Sequence, residues 1–390
     1  MSTSGNITDS DNHSCTRVQR PGTFKFGPSE FLIVFYTSIF PHLINLQPRR
    51  ITAFDISPDS SRFATGFLDG SVYLYPTSEI QVSQPASPIV QSVDVTKSKT
   101  SSRSHLSSVV SLKFFPSSRV LLSSSQDFSL TVLPADLPDN PSSIGSRISP
   151  VRTMRAHTRT VTDSAIIALG RNILSSSLDC SLKLWDVSSG DVISSLASQS
   201  PIISMSLGNR TAIPPDGEES IPPPAQDDRE IPETASKLAF CGLENGSFEI
   251  FDLGFKKSTY RSPVPKSPSS LTSINYSDSH HLLATGSTSG IITVYDTRSL
   301  GIPLTSFSRL ETVIEDLEFI YSDSGVGLAI ATADGLPYLA GVVPEGPVVS
   351  AELVGADCDP VRNISLRNNN GRREVWSASD DGIVRRYIYA

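Results

Sequence analysis

The sequence predicts an all-β protein, a propeller of seven blades that close into a ring. Three observations predict it: one short pattern recurs seven times, short strand-like segments lie between the recurrences, and almost no segment shows a helical period. In the pattern, a polar turn residue is followed six positions later by an apolar or aromatic residue. The pairs are Asp69/Tyr75, Asp127/Leu133, Asp179/Trp185, Asn245/Phe251, Ser289/Tyr295, Asp334/Ala340 and Asp381/Tyr387.

The spacing of these turn residues indicates the type of propeller. Successive turns are 58, 52, 66, 44, 45 and 47 residues apart, and the shorter intervals are close to the roughly 40–45 residues of WD-repeat propellers. Each unit has an apolar strand, a second strand that ends in small residues, a tight turn and a third strand. In the fifth unit these strands are TSINY, LLATGS and IITVYDT.

The last unit predicts how the ring closes. The sequence ends at Ala390, directly after the third strand IVRRYIY, so this unit lacks its outer strand. An N-terminal strand would complete the blade and remove an aggregation-prone edge. The candidates are FLIVFY at 31–36 and HLINL at 42–46. A membrane anchor or signal sequence is the alternative for the apolar run 31–40, but the run is short and no basic segment precedes it.

Composition limits the classes of partner. The net charge of -8 argues against a general nucleic-acid-binding protein and favours a partner with a basic surface. Four cysteines without CxxC spacing suggest reduced thiols in the cytoplasm or nucleus. We expect a monomer that binds no nucleic acid, no membrane, no cofactor and no metal.

Three segments depart from the repeat. We expect a disordered N-terminal tail at 1–25, followed by one propeller at 26–390 with long loops at about 77–104, 210–236 and 256–269. These loops are rich in Ser, Pro and Thr, so they bury too little apolar surface to offset the entropy of ordering. Their Ser-Pro dipeptides are either phosphorylation sites or parts of solvated spacers.

One set of residues has the chemistry of a hydrolase, since His157, Ser175 and Asp179 include a His, a Ser and an Asp. In WD-repeat blades, however, residues at these positions form a buried hydrogen-bonded chain with the third-strand tryptophan, here Trp185. The sequence contains no GxSxG, no GxxxxGK and no HExxH motif.

A second unit repeats the same offset. His105 lies 22 residues before Asp127, as His157 lies 22 before Asp179, and Ser123 matches Ser175. Because the set occurs twice at one spacing, it indicates a structural network and not a catalytic site. Asp381, the turn residue of the last unit, is predicted to have a structural role as well.

Two stretches resemble a particular family. RAHTRTVTDSAIIALGRNILSSSLDCSLKLWD at 155–186 is similar to the central blade of the proteasomal ATPase-associated factor family. ELVGADCDPV at 352–361 and SASDDGIVRRY at 377–387 resemble the last blade of that family, and the blade geometry does not require GADCDP or DGxVRRY. The resemblance covers about a fifth of the chain and suggests a fungal member.

The resemblance implies a non-enzymatic role. Members of this family bind the C-terminal domains of proteasomal ATPase subunits and assist assembly of the base of the regulatory particle. The insertions leave the choice of ATPase subunit open. A generic WD-repeat scaffold, such as a ubiquitin-ligase substrate receptor or a ribosome-assembly factor, is the alternative.

Charge predicts where such a partner would bind. We expect an acidic arc on one rim of blades six and seven, which would pair with lysines and arginines of the partner. Its predicted members are Glu311, Glu315, Asp316, Glu318, Glu352, Asp357 and Asp359. These carboxylates are equally compatible with solvated loops that bind no partner and, for Asp357 and Asp359, with capping of their own turn.

Two other expectations concern the last blade and the channel. At least one of Arg385 and Arg386 should face the crowded space between blades and need a carboxylate or carbonyl partner, and an acidic residue of the entering loop, such as Asp357 or Asp359, is the candidate. A propeller hydrolase would need carboxylates that converge in the central channel, and the sequence suggests no such cluster.

Overall fold

The computed structural model describes residues 25–26, 33–38, 50–77, 99–137, 147–210, 227–322, 325–344, 346–369 and 371–389. Twenty-nine strands form seven sheets. Six sheets have four strands and one has five. The prediction of an all-β, seven-bladed propeller is therefore confirmed, and each predicted turn residue lies between the second and third strands of its blade.

The blades follow the chain in order, and each begins at the central channel with its inner strand. The strands of blades 1 to 4 are β3 (Ile51–Ile56), β4 (Arg62–Phe67), β5 (Ser71–Pro76) and β6 (Thr100–Arg103); β7 (Val109–Phe114), β8 (Val120–Ser125), β9 (Ser129–Pro134) and β10 (Arg152–Arg155); β11 (Val161–Ile167), β12 (Asn172–Ser177), β13 (Ser181–Asp186) and β14 (Val192–Ala197); β15 (Ile202–Asn209), β16 (Lys237–Leu243), β17 (Phe248–Asp252) and β18 (Lys257–Arg261).

The strands of blades 5 to 7 are β19 (Leu271–Ser277), β20 (Leu282–Ser287), β21 (Ile292–Asp296) and β22 (Thr305–Phe307); β23 (Ile314–Ser322), β24 (Gly325–Thr332), β25 (Tyr338–Val343) and β26 (Val348–Glu352); β27 (Val361–Asn369), β28 (Arg372–Ser379) and β29 (Ile383–Tyr389). The remaining two strands, β1 (Lys25–Phe26) and β2 (Ile33–Ser38), come from the N-terminal segment.

The N-terminal segment closes the ring. β2 pairs antiparallel with β29, with Ile33 opposite Ile388 and Ser38 opposite Ile383, and so becomes the outer strand of blade 7. β1 pairs parallel with β26 and adds a fifth strand to blade 6. The closing strand thus includes residues 33–36 of the candidate FLIVFY, whereas residues 31–32 and the other candidate, HLINL, lie outside the described residues.

Apolar side chains between neighbouring blades form the core. Seven hydrophobic clusters are found among the described residues, one at each blade interface. At the interface between blades 7 and 1, Phe63 lies between Tyr75 and Trp376, with ring centroids 5.1 Å and 5.9 Å away. The closing interface thus contains a buried apolar cluster like each of the six internal ones, which fixes all seven inner strands around the channel.

The predicted loops need correction where the structure describes them. Thr100–Arg103 and Lys257–Arg261 lie within predicted loops but form the outer strands of blades 1 and 4. Pro232–Ser236 forms a turn of 3₁₀ helix. An outer strand has one solvated face, so polar residues such as those of KSTYR do not prevent pairing. Residues 78–98, 211–226 and 1–24 lie outside the described ranges, so the loop and tail predictions there remain predictions.

Within those ranges, no helix has the length and apolar character needed to cross a membrane.

Candidate functional site

The propeller has two rims that differ in the segments they carry. We define the upper rim as the rim formed by the turns between the second and third strands and by the loops that enter each inner strand. Its described turns are 68–70, 126–128, 178–180, 244–247, 288–291, 333–337 and 380–382, and its described loops are 104–108, 156–160, 198–201, 262–270, 308–313 and 353–360. The lower rim carries the other connections.

The His-Ser-Asp set of blade 3 forms a closed hydrogen-bonded chain. His157 Nδ1 lies 2.9 Å from Asp179 Oδ2, and His157 Nε2 lies 2.7 Å from Ser175 Oγ. Trp185 Nε1 donates to the same hydroxyl at 2.8 Å. All contacts are satisfied when Nδ1–H donates to Asp179 and the Ser175 hydroxyl donates to Nε2. Ser175 is fully buried, so this hydroxyl is not available to a substrate.

Burial and hydrogen bonds determine the charges of His157 and Asp179 in this hydrogen-bonded chain. Burial lowers the pKa of His157 and outweighs the hydrogen bond to Asp179, which favours a neutral ring. Burial opposes ionisation of Asp179, but hydrogen bonds from Ser181, the Thr158 N–H and His157 lower its pKa below the usual value. The carboxylate therefore stays charged and ties the loop that enters blade 3 to the turn of the same blade.

Blade 2 contains the same chain without a tryptophan. His105 Nε2 lies 2.8 Å from Ser123 Oγ, and its Nδ1 lies 3.3 Å from Asp127. Asp127 also accepts the Leu106 N–H at 2.9 Å. Despite partial burial, hydrogen bonds from His105 and Ser129 lower the pKa of Asp127. Third-strand Leu133 has no donor, so Ser123 makes one contact fewer than Ser175.

In blade 7 an arginine takes the place of the histidine. Arg385 is 2% exposed and binds the turn residue Asp381, the hydroxyl of Ser379 at 2.6 Å and the carbonyl of Gly355 in the loop that enters the blade. Ser379 also donates to Asp381. Asp381 thus lies in a structural network, which joins the turn to the loop as in blades 2 and 3.

The expected pairing of the two arginines with the loop aspartates is wrong. Arg385 pairs with Asp381 of its own turn, and Arg386 forms a buried ion pair with Glu374, with Nε 2.8 Å from Oε2. Arg386 also lies over the ring of Trp376, 5.0 Å from its centroid. Glu374 on β28 and Asp381 in the turn are the ion-pair partners, since buried guanidinium groups require close partners. Arg385 contacts the entering loop through the Gly355 carbonyl and not through an aspartate.

The loop 353–360 therefore presents its aspartates outward. Asp357 and Asp359 are exposed, and no hydrogen bond or ion pair joins their carboxylates to the residues that the structure describes. The backbone beneath them is held firmly, because Arg385 binds the Gly355 carbonyl and Tyr387 donates to the Val354 carbonyl at 3.1 Å.

The adjoining turn of blade 6 supports this loop. Gly335 has φ +75°, and a side-chain carbon at this position would come within 2.4 Å of the Asp357 carbonyl oxygen. Glycine is required there both by conformation and by the close approach. The loop is therefore a fixed acidic projection of the upper rim.

Three members of the predicted arc do not lie on the rim. Glu315, Asp316 and Glu318 belong to β23, the inner strand of blade 6, which begins at Ile314. Glu315 pairs with Arg362 at 2.8 Å, whereas Asp316 and Glu318 accept the N–H groups of Ile364 and Leu366 on β27. These carboxylates connect blade 6 to blade 7, and the rim assignment for them is wrong.

The other two members are on the upper rim. Glu311 is exposed in the loop 308–313. Glu352, at the end of β26, is exposed and pairs with Arg309. The observed acidic surface of blades 6 and 7 therefore contains Glu311, Glu352, Asp357 and Asp359.

Carboxylates do converge on the central channel, contrary to the expectation from sequence. The channel encloses a cavity of about 660 Å³. Asp55 and Asp163 repeat the arrangement of Asp316, since they accept the N–H groups of Phe114 and Met205 on the next inner strands at 2.7 and 3.3 Å. The sequence spacing of these residues is irregular, so only the closed ring shows that they meet.

Burial alters the titration of this cluster. It raises the pKa of Asp316 to about 6 and that of Glu318 to about 7, despite the N–H donors and the charge of Lys113. Burial opposes the charge of Lys113, but Asp163, Asp55, Asp316 and Glu318 together raise its pKa. The channel wall is thus a charged inter-blade network, with each described carboxylate already engaged as an acceptor.

Apolar side chains accompany the acidic surface. Leu336 lies in the turn next to the loop 353–360, Val354 lies in that loop, and Ile291 and Leu310 lie one blade earlier. All four are at least 42% exposed. These four residues were not predicted from the sequence because single apolar residues in polar turns are common on protein surfaces. The signal in the sequence that could have identified them is that all four lie in the turns and entering loops of neighbouring units.

Comparisons with known proteins agree with the architecture. The family model described as "WD domain, G-beta repeat" matches residues 41–75, 96–132, 148–186 and 259–296. The chain is 29% identical over 304 residues to 26S proteasome regulatory subunit RPN14 of Saccharomyces cerevisiae, covering 73% of this chain and 67% of the yeast protein.

A second relative shares the repeats at greater distance. The chain is 24% identical over 233 residues to Pre-mRNA-processing factor 19 of Dictyostelium discoideum, covering 59% of this chain and 40% of that protein. Two of the matched repeats, 148–186 and 259–296, begin within the described residues. Each of these two contains all or most of the outer strand of one blade and the first three strands of the next blade. On this sequence and structural evidence, the chain carries four WD repeats and folds as a seven-bladed β-propeller.

Proposed function

We propose that this propeller is a non-enzymatic chaperone that binds the C-terminal domains of proteasomal ATPase subunits and assists assembly of the regulatory-particle base. The observation that carries the proposal is the fixed acidic loop 353–360 beside exposed apolar side chains. The relative named as a proteasome regulatory subunit and the resemblance of residues 352–361 and 377–387 to the ATPase-associated factors support it. We place the protein in the cytoplasm and nucleus.

In this proposal, charged residues attract the partner and apolar residues supply the affinity. Asp357, Asp359 and Glu311 attract lysines and arginines of the ATPase domain over a distance of about one Debye length, roughly 8 Å at physiological salt. Leu336 and Val354 then lose water against apolar groups of the partner and supply affinity. Because the loop is held from inside blade 7, little conformational entropy is lost on binding.

The channel carboxylates fit a structural role better than a catalytic one. Each of Asp55, Asp163, Asp316 and Glu318 accepts an N–H from the next blade. Ser175 and His157 are enclosed within blade 3. We therefore propose a binding protein and not a hydrolase. The same interactions also keep the inner strands of neighbouring blades in register.

Charge reversal of the loop tests the proposed site. Asp357→Lys/Asp359→Lys is expected to weaken binding of purified ATPase C-terminal domains about tenfold or more, because it replaces attraction by repulsion. The remaining affinity should depend less on salt than that of the native protein. Binding is measured by calorimetry at two salt concentrations.

The matched control carries the same charge change on the lower rim. Asp228 and Glu233 are exposed there, and Asp228→Lys/Glu233→Lys should bind as the native protein does. Both double variants should melt within a few degrees of the native protein. Equal binding by the two variants, or a large loss of melting temperature in the loop variant alone, would contradict the recognition role.

Affinity capture tests the assembly role separately. The chain, expressed with a tag in cells, should enrich free base subunits and base precursors over complete proteasomes when the captured proteins are quantified by mass spectrometry. Enrichment of mature holoenzyme, of cullin adaptors or of pre-ribosomal proteins, with no free base subunits, would refute the chaperone proposal.

A further inference from the structure

Blade 2 has an unusual residue in its upper-rim turn. After the turn residue, five blades have glycine with positive φ, namely Gly70, Gly246, Gly290, Gly335 and Gly382. Blade 2 has Phe128 with φ 68°, and blade 3 has Cys180 with φ 62°. A bulky residue in the left-handed region is a conformational outlier, and such outliers concentrate at functional sites. The Phe128 side chain is nonetheless 43% exposed, so burial does not offset this strain.

Two further apolar side chains are held beside Phe128. Leu106 is 84% exposed, and its N–H donates to Asp127, the residue before Phe128. Leu68 is 54% exposed and lies in the turn of blade 1. That turn packs against the loop of Leu106, since a side-chain carbon at Gly70 would come within 2.3 Å of the His105 carbonyl oxygen. The three side chains therefore project from one rigid part of the upper rim.

Three exposed arginines lie around these side chains. Arg103 and Arg155 end the outer strands of blades 1 and 2, opposite Ser71 and Ser129 in the strand register, and both are exposed. Arg50 is exposed where β3 begins and lines the mouth of the channel together with Leu68. With the described residues, none of these three arginines forms an ion pair.

The nearby carboxylates are already used as acceptors. Asp127 binds His105, Ser129 and the Leu106 N–H, and Asp69 accepts from Ser71. We call Leu68, Leu106, Phe128, Arg50, Arg103 and Arg155 the Phe128 patch. When Asp69 and Asp127 are counted with the three arginines, the patch keeps a positive balance, opposite in sign to the acidic surface on blades 6 and 7, so the two surfaces attract partners of opposite charge.

We propose that the Phe128 patch is a second binding site, which takes an acidic protein segment that carries an aliphatic or aromatic anchor residue. The anchor contacts Phe128, Leu106 and Leu68, and the flanking carboxylates pair with Arg103 and Arg155. Arginine suits this task because its planar group binds carboxylates through two parallel hydrogen bonds. The site is separate from the surface proposed to bind ATPase domains and does not depend on it.

Labelled peptides and the full chain test this site. The probe is a short fluorescein-labelled peptide with one phenylalanine flanked on both sides by aspartate and glutamate. Fluorescence anisotropy should show binding that weakens with salt and when serine replaces the phenylalanine or lysines replace the acidic residues. Asp357→Lys/Asp359→Lys should bind this peptide as the native protein does, which separates failure of this site from failure of the ATPase-binding proposal.

Phe128→Asn is the decisive variant. Asparagine tolerates a left-handed backbone, so the melting temperature should be unchanged or higher, whereas peptide affinity should fall about tenfold. Leu106→Ser should also weaken binding. The matched control is Leu169→Ser, because Leu169 is 89% exposed on the lower rim. Arg103→Lys/Arg155→Lys should retain part of the affinity that Arg103→Glu/Arg155→Glu loses.

Four outcomes would overturn the proposal. Phe128→Asn could bind the acidic peptide as tightly as the native protein, or Leu169→Ser could weaken binding as much as Leu106→Ser. The lysine-flanked peptide or a mixed-sequence single-stranded RNA could bind better than the acidic peptide. Finally, sedimentation could show a dimer that Phe128→Asn dissociates, which would assign the patch to a second copy of this chain.

Discussion

Single side chains decide whether a set of residues catalyses or supports the fold. Ser175 has the histidine and aspartate neighbours of a nucleophile, but Trp185 donates to its hydroxyl and burial excludes a substrate. Arg385 shows that the task of joining turn to loop does not require histidine. Its guanidinium reaches Asp381, Ser379 and the Gly355 carbonyl from the third strand.

Removal of Arg385 should therefore destabilise blade 7. Arg385→Ala leaves Asp381 without its buried cationic partner and frees the loop 353–360, so the free energy of unfolding should fall by about 3 kcal/mol. Denaturant unfolding followed by tryptophan fluorescence measures the change. Arg372→Ala, exposed on β28, is the control and should change stability by less than about 0.5 kcal/mol. The structural role is refuted when both variants unfold at the same denaturant concentration.

Strand β23 holds blades 6 and 7 in register through carboxyl groups whose pKa values are raised. Asp316 and Glu318 lie two residues apart on β23 and accept the N–H groups of Ile364 and Leu366, which are likewise two residues apart on β27. Their ionised forms are disfavoured by burial in the channel wall, which raises both pKa values towards neutrality. The strand thus connects two blades through groups that change protonation within the cellular pH range.

This arrangement predicts a pH-dependent effect of Glu318→Gln. The pKa of Glu318 is about 7 in the folded chain, against 4.5 for an ordinary glutamate. The protonated side chain therefore stabilises the fold fully below pH 4.5, and this contribution is lost as the pH rises to about 7. The glutamine variant has no such loss. The difference in free energy of unfolding, variant minus native, should therefore increase between about pH 4.5 and 7.

Denaturant unfolding at a series of pH values measures this difference. Glu233→Gln, on the lower rim, removes one carboxylate outside the channel and serves as the control. A difference for Glu318→Gln that stays constant from pH 4.5 to 8 would show that burial in the channel does not control this carboxyl.

The elements also show what the sequence could predict and what it could not. The turn residues and the closing strand were predictable because turn chemistry and strand alternation are local. The rim assignment of Glu315, Asp316 and Glu318 was wrong because they belong to an inner strand, and the channel beside that strand exists only once the ring closes. The partners of Arg385 and Arg386 depend on packing between strands. Phe128 had a visible signal, since it stands where five other repeats have glycine.

At the scale of the whole molecule, stability depends on closure. Each blade packs against two neighbours through a continuous ring of seven apolar clusters among the described residues. β2 supplies the outer edge of the last blade. The opposed surfaces on the upper rim keep their relative positions because the ring is closed.

Deletion of the closing strand should affect the entire ring. A chain that begins at residue 39 lacks β1 and β2, exposes the edge of β29 and should both melt at a lower temperature and associate in size-exclusion chromatography. A chain that begins at residue 25 retains both strands and is the control. Monomeric behaviour and native melting of the shorter chain would show that β2 is not needed for closure.

The pairing of β2 with β29 also constrains how the protein is made. The ribosome produces β2 about 345 residues before β29. At about 5–20 residues per second, β2 waits roughly 20 to 70 s for its partner. During translation the nascent chain therefore carries an unpaired strand that must be kept from other chains until β29 has been made. A protein proposed to assist assembly would itself pass through an open, association-prone stage before it could act.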